Sequence, residues 1–266
     1  MHPGVRGAAG EKCGDCGMAL VEIPDATGAS YWLDAEADPA AAPAGKPVRL
    51  RLTIRDRETN AAVTALETIH DRLLHLFIVS HDLSFFDHVH PESANEGAFE
   101  IAVTLPKAGA YRLVADVLPT GAAPQTLQHT IVTAGSAAPL IPTPAEPKAE
   151  VLEAVRDGVR ARLVPAGARA GGDAHLTLEV TDARTGAPVI DLEPYLGAWG
   201  HMLLAHTSLG DIAHSHPYLE ETTPGGPTVT FQTLFARAGW YRVWTQVQRG
   251  GRVLTFGFTL RVAPVV

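Results

Sequence analysis

An internal repeat constrains the fold of this chain more than any other feature of its sequence. Residues 48–91 align without a gap with residues 174–217 at an offset of 126, and 13 of the 44 aligned pairs are identical. After a four-residue insertion in the second copy the offset becomes 130, where Tyr111-Arg112 meets Tyr241-Arg242. Self-similarity of this length indicates a duplicated structural unit. We therefore expect two copies of one domain of about 100 residues each.

Each copy has the pattern of short β-strands. Apolar residues occupy every second position in both copies, at Val48, Leu50, Leu52 and Ile54 and again at Leu176, Leu178 and Val180. Alternation of this period places one face of a strand in a core. The 25 Gly and 20 Pro favour frequent turns over long helices. The expected fold is all-β, with two tandem antiparallel immunoglobulin-like or cupredoxin-like β-sandwiches behind a short N-terminal Cys-x-x-Cys metal-binding knuckle.

Composition along the chain suggests three parts. A Cys-containing segment occupies residues 1–24, and the two sandwiches are expected at 28–134 and 150–266. Stretches rich in Ala and Pro, at 34–46 and 134–148, are interpreted as extended connectors.

Charge and motif content exclude several classes of function. The net charge is −8, and the 21 Lys and Arg residues are scattered, which argues against binding of nucleic acid. The longest uncharged apolar run, at 73–80, is too short to span a membrane. No Gly-x-Ser-x-Gly, phosphate-binding loop, dinucleotide fingerprint or His-Glu-x-x-His motif is present. We expect a protein that is not an enzyme.

The second notable feature is a repeated group of histidines. Each copy carries one His followed 13 residues later by His-x-His-Pro, which gives the candidate ligands His75, His88, His90, His201, His214 and His216. Residues i and i+2 of a strand share a face, so His-x-His presents two imidazoles together. A hairpin that turns near residues 82–85 would bring the first His beside the last. If the residue numbers of each cross-strand pair add up to an odd number, all three histidines lie on one face of the hairpin. Three imidazoles on a β-scaffold suit copper or zinc.

Other interpretations of the histidines stay open. A His-Pro at a strand end can be structural, with the imidazole bonded to a carbonyl, and the repeat could preserve the fold alone. A type 1 copper centre is excluded, because neither sandwich contains a Cys. The remaining histidines lack a counterpart in the other copy and are interpreted as ordinary exposed or hydrogen-bonded residues, with His81 and His206 as reserve ligands: His70, His81, His129, His175 and His206.

The two cysteines form a local motif, Cys13-Gly-Asp-Cys16. A Cys-x-x-Cys pair places two thiolates on one turn, which is a common half-site for a soft metal, although redox or incidental roles share this spacing. A thioredoxin-like role needs a βαβ context that this sequence lacks. His2 and Met18 would complete a four-ligand site.

The N-terminal segment resembles the short heavy-metal-binding domain found at the front of some copper-exporting ATPases and of periplasmic adaptor subunits of metal efflux pumps. The resemblance rests on Met1-His2-Pro3, Cys13, Cys16-Gly17-Met18 and Leu20-Val21. The Pro residues beside the family's Cys pair are replaced here, and its upstream Cys would precede Met1. Because no signal peptide is visible at Met1, we expect the natural chain to be longer and to begin with one.

The second copy is similar to secreted bacterial proteins with FixH/YtkA-like immunoglobulin-type sandwiches, often found beside copper-handling modules. The similarity rests on Tyr195-Leu-Gly-Ala-Trp-Gly-His201 and on His214-Ser-His216-Pro217. It implies the sandwich fold and an association with metal.

Together these features predict a heavy-metal-binding protein in the periplasm or another extracytoplasmic compartment that captures, stores or delivers copper, with zinc as the alternative metal. The expected partners are metal ions and a metal efflux or copper-enzyme assembly protein. The alternative is a β-sandwich interaction module that docks on such a partner and uses its histidines only for structure.

Overall fold

The computed structural model describes residues 30–40, 42–134 and 146–265. They form two compact units, one in residues 30–134 and the other in residues 146–265. Both units are built from antiparallel strands, and each stacks two sheets around its own hydrophobic core. The chain is therefore an all-β protein with two tandem β-sandwiches.

The first unit contains nine strands and a single 3-10 turn at Asn95–Gly97. The strands are β1 (Tyr31–Asp38), β2 (Pro47–Asp56), β3 (Leu66–Glu67), β4 (Leu74–Ser80), β5 (Phe86–Val89), β6 (Glu92–Ser93), β7 (Ala98–Thr104), β8 (Ala110–Pro119) and β9 (Gln125–Val132). One sheet has the order β1-β2-β7-β6, and the other has the order β3-β8-β4-β5 with β9 paired to β8.

The second unit repeats this plan, with a 3-10 turn at Leu219–Glu221. Its strands are β10 (Glu153–Arg156), β11 (Val159–Ala166), β12 (Asp173–Asp182), β13 (Leu192–Glu193), β14 (His201–His206), β15 (Ile212–Ser215), β16 (Thr228–Leu234), β17 (Gly239–Arg249) and β18 (Arg252–Val262). The sheet order is β10-β11-β12-β16 in one layer and β13-β17-β14-β15, with β18 beside β17, in the other. The strand pair β4 and β5 thus corresponds to β14 and β15.

The alternating residues of the sequence form the two cores. On β2, Leu50, Leu52 and Ile54 are fully buried, while the intervening side chains face outward. Leu176, Leu178 and Val180 do the same on β12. Each fully buried side chain of this size contributes about 1.5–3 kcal/mol, so apolar burial of this face holds each sandwich together.

The prediction of an extended connector at residues 34–46 is wrong for the first part of this range. Residues up to Asp38 belong to β1, which pairs with β2 in a continuous register from Tyr31 opposite Asp56 to Asp38 opposite Arg49. Small residues at every second position let this strand lie against the core, and the Asp34 carboxylate accepts a hydrogen bond from Arg55 Nε at 2.7 Å. The edge strand β1 was therefore mistaken for a connector because its sequence is rich in Ala.

The N-terminal segment 1–24 lies outside the described residues, and so does most of the connector predicted at 134–148. Within the described ranges, no helix has the length and apolar character that a membrane span needs.

Candidate metal centres

The hairpin of β4 and β5 brings together the three repeated histidines of the first unit. Leu76 pairs with Val89 and Phe77 with His88, so that the next position along the ladder joins residues 75 and 90. The residue numbers of each pair add up to an odd number, as the sequence analysis expected, so His75, His88 and His90 lie on one face. We call this group the first centre.

The ring nitrogens of the first centre converge to a triangle. His75 Nδ1 lies 3.1 Å from His88 Nε2 and 3.2 Å from His90 Nε2, and the two Nε2 atoms are 3.2 Å apart. The His88 ring also stacks on Phe77, with ring centroids 4.2 Å apart. The hairpin therefore aims three imidazole nitrogens at one point.

A backbone carbonyl sets the tautomer of His75. Its Nε2 lies 2.8 Å from the carbonyl oxygen of Ile69, which can only accept a hydrogen bond. Nε2 must carry the proton, and a neutral ring then presents Nδ1 as a lone pair to the triangle. A second hydrogen bond that orients the ring in this way is typical of histidines that bind metal.

The second unit has the same arrangement, which we call the second centre. The pairing of Leu203 with His214 places His201, His214 and His216 on one face of the β14–β15 hairpin. His201 Nδ1 lies 3.4 Å from His214 Nε2, and its Nε2 lies 3.0 Å from the carbonyl oxygen of Tyr195. In each centre, one nitrogen from every histidine lies within 4.8 Å of the others. The tautomer contact is thus duplicated along with the ligands.

Burial favours the neutral form of two histidines of the first centre, His75 and His90. His75 and His88 are buried, with 1% and 6% of their surface exposed. Burial lowers the pKa of His75, and the hydrogen bond to Ile69 offsets this only in part. Burial, followed by the charges of His75 and Arg72, lowers the pKa of His90 to about 4. Neutral imidazole is the form that binds a metal, so these rings are ready to act as ligands at neutral pH.

Three neutral imidazoles cannot satisfy one another in this geometry. His75 donates its one ring proton to the Ile69 carbonyl, so its Nδ1 can only accept. If His88 and His90 both donate to this Nδ1, each must carry its proton on Nε2. Their two N–H groups would then face each other. A cation held by His75 Nδ1 and by Nε2 of His88 and His90 would use all three lone pairs. These three residues could therefore hold a metal ion.

A groove gives access to the first centre from the surface. It has a volume of about 350 Å³ and is lined by Arg49, His90, Glu92, Glu100, Ile101 and Ala102. His90 is the half-buried member of its centre, whereas in the second centre the half-buried member is His214, which aligns with His88. An entry path that reaches a ligand is what loading of a metal requires.

Sequence reasoning missed the residue that lies beside His75. On β8, Asp116 is the cross-strand partner of His75, and it is buried with 4% of its surface exposed. Burial raises the pKa of Asp116, while a hydrogen bond from Thr126 and the proximity of His75 lower it. The counterpart in the second unit is Gln246, opposite His201 on β17. The offset of 130, applied to the segment that follows Tyr111, pairs Asp116 with Gln246 and would have revealed both residues.

The two reserve ligands do not join the centres. His81 and His206 lie at the far ends of β4 and β14, whereas the centres lie at the near ends of these strands. His206 Nδ1 instead bonds the Ser208 hydroxyl at 2.7 Å. Glu193, which aligns with Glu67 of the first copy, accepts hydrogen bonds from Gln248 and from the backbone N–H of Gly251, and so caps a turn.

The N-terminal candidates, His2, Cys13, Cys16 and Met18, lie outside the described residues. Their role as ligands stays a prediction.

Comparison with known proteins gives one family. The family described as Domain of unknown function (DUF8832) matches residues 29–135 and, a second time, residues 153–264. No curated protein matches the chain.

Several solved structures are similar at low identity. They include the Escherichia coli adhesin FdeC (14% identity, TM-score 0.28, 90% of this chain and 65% of that chain). The fibronectin(III)-like modules of Clostridium thermocellum CbhA match at 12% identity with a TM-score of 0.23, over 87% of this chain and 95% of that one. A DUF4785 family protein from Legionella pneumophila matches at 11% identity with a TM-score of 0.30, over 88% and 57%. The chain spans less than two thirds of the length of the adhesin and of the Legionella protein.

Proposed function

The chain belongs to the DUF8832 family, with two copies of its domain. We propose that both copies are metal-binding domains of an extracytoplasmic copper-handling protein. The observation that carries the proposal is the triangle of ring nitrogens in the first centre, 3.1–3.2 Å on each side. The role is binding of a metal for capture, storage or delivery, without catalysis.

The donor set supports copper as the metal. Imidazole nitrogens bind Cu(II) and Zn(II), and the general order of affinity among divalent metals places Cu(II) above Zn(II). Zinc is the alternative, because three histidines with an open fourth position also form zinc sites. Met202 gives no support for copper, since its thioether lies in the core on the opposite face of β14 from His201.

The N-terminal segment would supply a softer site. Under this proposal Cys13 and Cys16, with His2 and Met18, capture Cu(I), and the sandwiches receive copper from them. The periplasmic location and a metal efflux or copper-enzyme assembly protein as partner rest on the resemblance of this segment to heavy-metal-binding domains. If the change Cys13→Ser/Cys16→Ser leaves the bound Cu(I) unchanged, the capture step is wrong.

Metal analysis of purified protein tests the sandwich sites. The parent for this experiment is the full chain with Cys13→Ser/Cys16→Ser, so that only the histidine centres are counted. After loading with Cu(II) or Zn(II) and desalting, mass spectrometry should find about two ions per chain. The variants His88→Ala/His90→Ala and His214→Ala/His216→Ala should each lose about one.

The matched control removes two histidines outside the centres. His129 bonds the carbonyl of Leu33, and His175 bonds Glu221, so the variant His129→Ala/His175→Ala should keep both ions. Equal metal content in all variants, or none in the parent, would favour the alternative function, a β-sandwich interaction module whose histidines are structural.

A further inference from the structure

The two centres have the same three ligands but expose different ones. In the first centre His88 is buried, with 6% of its surface exposed, and His90 is half-buried. The second centre has the reverse order, because His214, which aligns with His88, is half-buried, while His216 is only 2% exposed. Each centre therefore reaches the surface through one histidine of its His-x-His pair, and that histidine differs between the copies.

A cross-strand aromatic ring accounts for the burial of His88. Phe77 is the partner of His88 across the β4–β5 hairpin, and the two rings stack with centroids 4.2 Å apart and planes 25° apart. At the aligned position the second copy has Leu203, which is the cross-strand partner of His214. An aliphatic side chain cannot lay a flat ring over an imidazole, so this face of His214 is less covered than that of His88.

The residue that follows the repeated His-x-His-Pro motif accounts for the other difference. In the first copy it is Glu92, which is exposed and lines the groove at His90. In the second copy it is Tyr218, whose backbone N–H donates to the Thr230 carbonyl at 2.6 Å. The Tyr218 ring also contacts His175 edge-on, with centroids 5.4 Å apart. A larger and better fixed side chain therefore lies two residues beyond His216, on the side where the first copy has its groove.

A bound metal ion leaves a protein by stepwise exchange, in which an incoming ligand displaces the protein ligands one at a time. Exchange begins at the ligand that solvent and the incoming group can reach. His75 and His201 are poorly suited to leave first, because both are buried and the carbonyls of Ile69 and Tyr195 hold their rings. The half-buried histidine of each centre is the accessible one.

We propose that each centre exchanges its metal through its half-buried histidine, which is His90 in the first centre and His214 in the second. This inference rests on the proposed metal-binding function. An acceptor with its own donor groups would approach the first centre through the groove at His90. It would approach the second centre across β15, the edge strand that carries His214. The two copies would thus release metal at different surfaces of the same fold.

Single-centre proteins allow each exchange path to be measured alone. In the full chain with Cys13→Ser/Cys16→Ser, His214→Ala/His216→Ala leaves the first centre and His88→Ala/His90→Ala leaves the second. Each protein is loaded with Zn(II), and release is followed as the zinc passes to an excess of the chelating dye 4-(2-pyridylazo)resorcinol.

Covering the accessible histidine should slow release. At the second centre, Leu203→Phe places a ring beside His214, as Phe77 lies beside His88, and should slow release by about 2- to 10-fold, the factor that a ring–ring contact provides. At the first centre, Glu92→Tyr should narrow the groove at His90 and slow release likewise. The reverse changes, Phe77→Leu and Tyr218→Glu, should each speed release from their own centre.

The matched controls place each covering substitution in the protein that keeps only the other centre. Leu203→Phe should not alter release from the first centre, and Glu92→Tyr should not alter release from the second. Glu92 is exposed, so Glu92→Tyr keeps the proposal testable if Leu203→Phe fails to fold.

The outcomes separate this inference from the proposed function. If a covering substitution leaves the release rate of its loaded centre unchanged, the exchange path is wrong for that centre and the metal-binding function stands. If neither single-centre protein binds zinc, the proposed function itself fails.

Discussion

At the scale of single residues, the first histidine of each centre has two tasks. His75 donates from Nε2 to the Ile69 carbonyl and directs Nδ1 at the other two rings. It is also almost fully buried, with 1% of its surface exposed, whereas His90 is half-buried. One histidine is therefore structural as well as a candidate ligand, while the other is needed by the fold far less.

This difference predicts unequal effects on stability in metal-free protein. His75→Ala should lower the free energy of unfolding by about 1–3 kcal/mol, because it removes the hydrogen bond of a buried ring to the Ile69 carbonyl, which keeps only the Arg72 N–H, and leaves the space of the ring unfilled. His90→Ala should cost clearly less, although both variants should lose the metal of the first centre. Urea denaturation of the metal-free proteins measures this. Equal losses of stability would show that the two rings have the same structural role.

A second residue-scale prediction concerns acid stability at the tip of the β4–β5 hairpin. Partial burial alone would raise the pKa of Asp82, but hydrogen bonds from Ser80 and Ser84 and the charge of Lys107 outweigh it and lower the pKa to about 2. A depressed pKa stabilises the fold above the ordinary value of 3.8 and loses this effect as the pH falls toward 2. The stability advantage of the parent over Asp82→Asn should therefore shrink between about pH 4 and pH 2. Denaturant titrations across this range test it, and a constant difference would contradict it.

At the scale of strands and hairpins, sequence periodicity predicted most of what places the histidines. Alternation at Leu50, Leu52 and Ile54 identified β2, and the His-x-His spacing gave the correct face and register of β5. It did not identify β1, because a run of small residues has too little apolar contrast to mark a strand. The sequence analysis did not identify Asp116 as a neighbour of the first centre. A buried acid is recognisable only by its neighbours across the sheet, and these come from other parts of the chain.

A matched pair of variants is available where the chain enters β8 and β17, at the aligned residues Ala108-Gly109 and Ala238-Gly239. Gly109 and Gly239 have φ of 144° and 132°, where an L side chain is strained. A Cβ at Gly239 would also lie 2.6 Å from His206 Nε2, whereas a Cβ at Gly109 meets nothing within 4 Å. Each Gly→Ala change should cost about 1–3 kcal/mol, with the larger cost at Gly239. Thermal unfolding compares them, and an equal or smaller loss at Gly239 would contradict the prediction. Metal content should not change, because these turns lie away from the centres.

At the scale of the whole molecule, each sandwich has its own core and its own candidate centre. The residues of one centre all come from one unit, so occupation of the two should be independent. Loss of metal in the variant with all four changes, His88→Ala/His90→Ala/His214→Ala/His216→Ala, should equal the sum of the losses in the two double variants. Metal content per chain, measured by mass spectrometry, checks this additivity. A double variant that empties both centres would indicate one shared site.

The position of the centres along the chain decides what a duplication of the domain copies. Every candidate ligand of the two centres, together with the carbonyl that sets the tautomer, lies between Ile69 and His90 or between Tyr195 and His216. Each candidate centre is therefore encoded by one short continuous segment of the gene. A duplication that includes this segment carries the whole centre with it, and neither copy has to recruit a residue from elsewhere to keep its own.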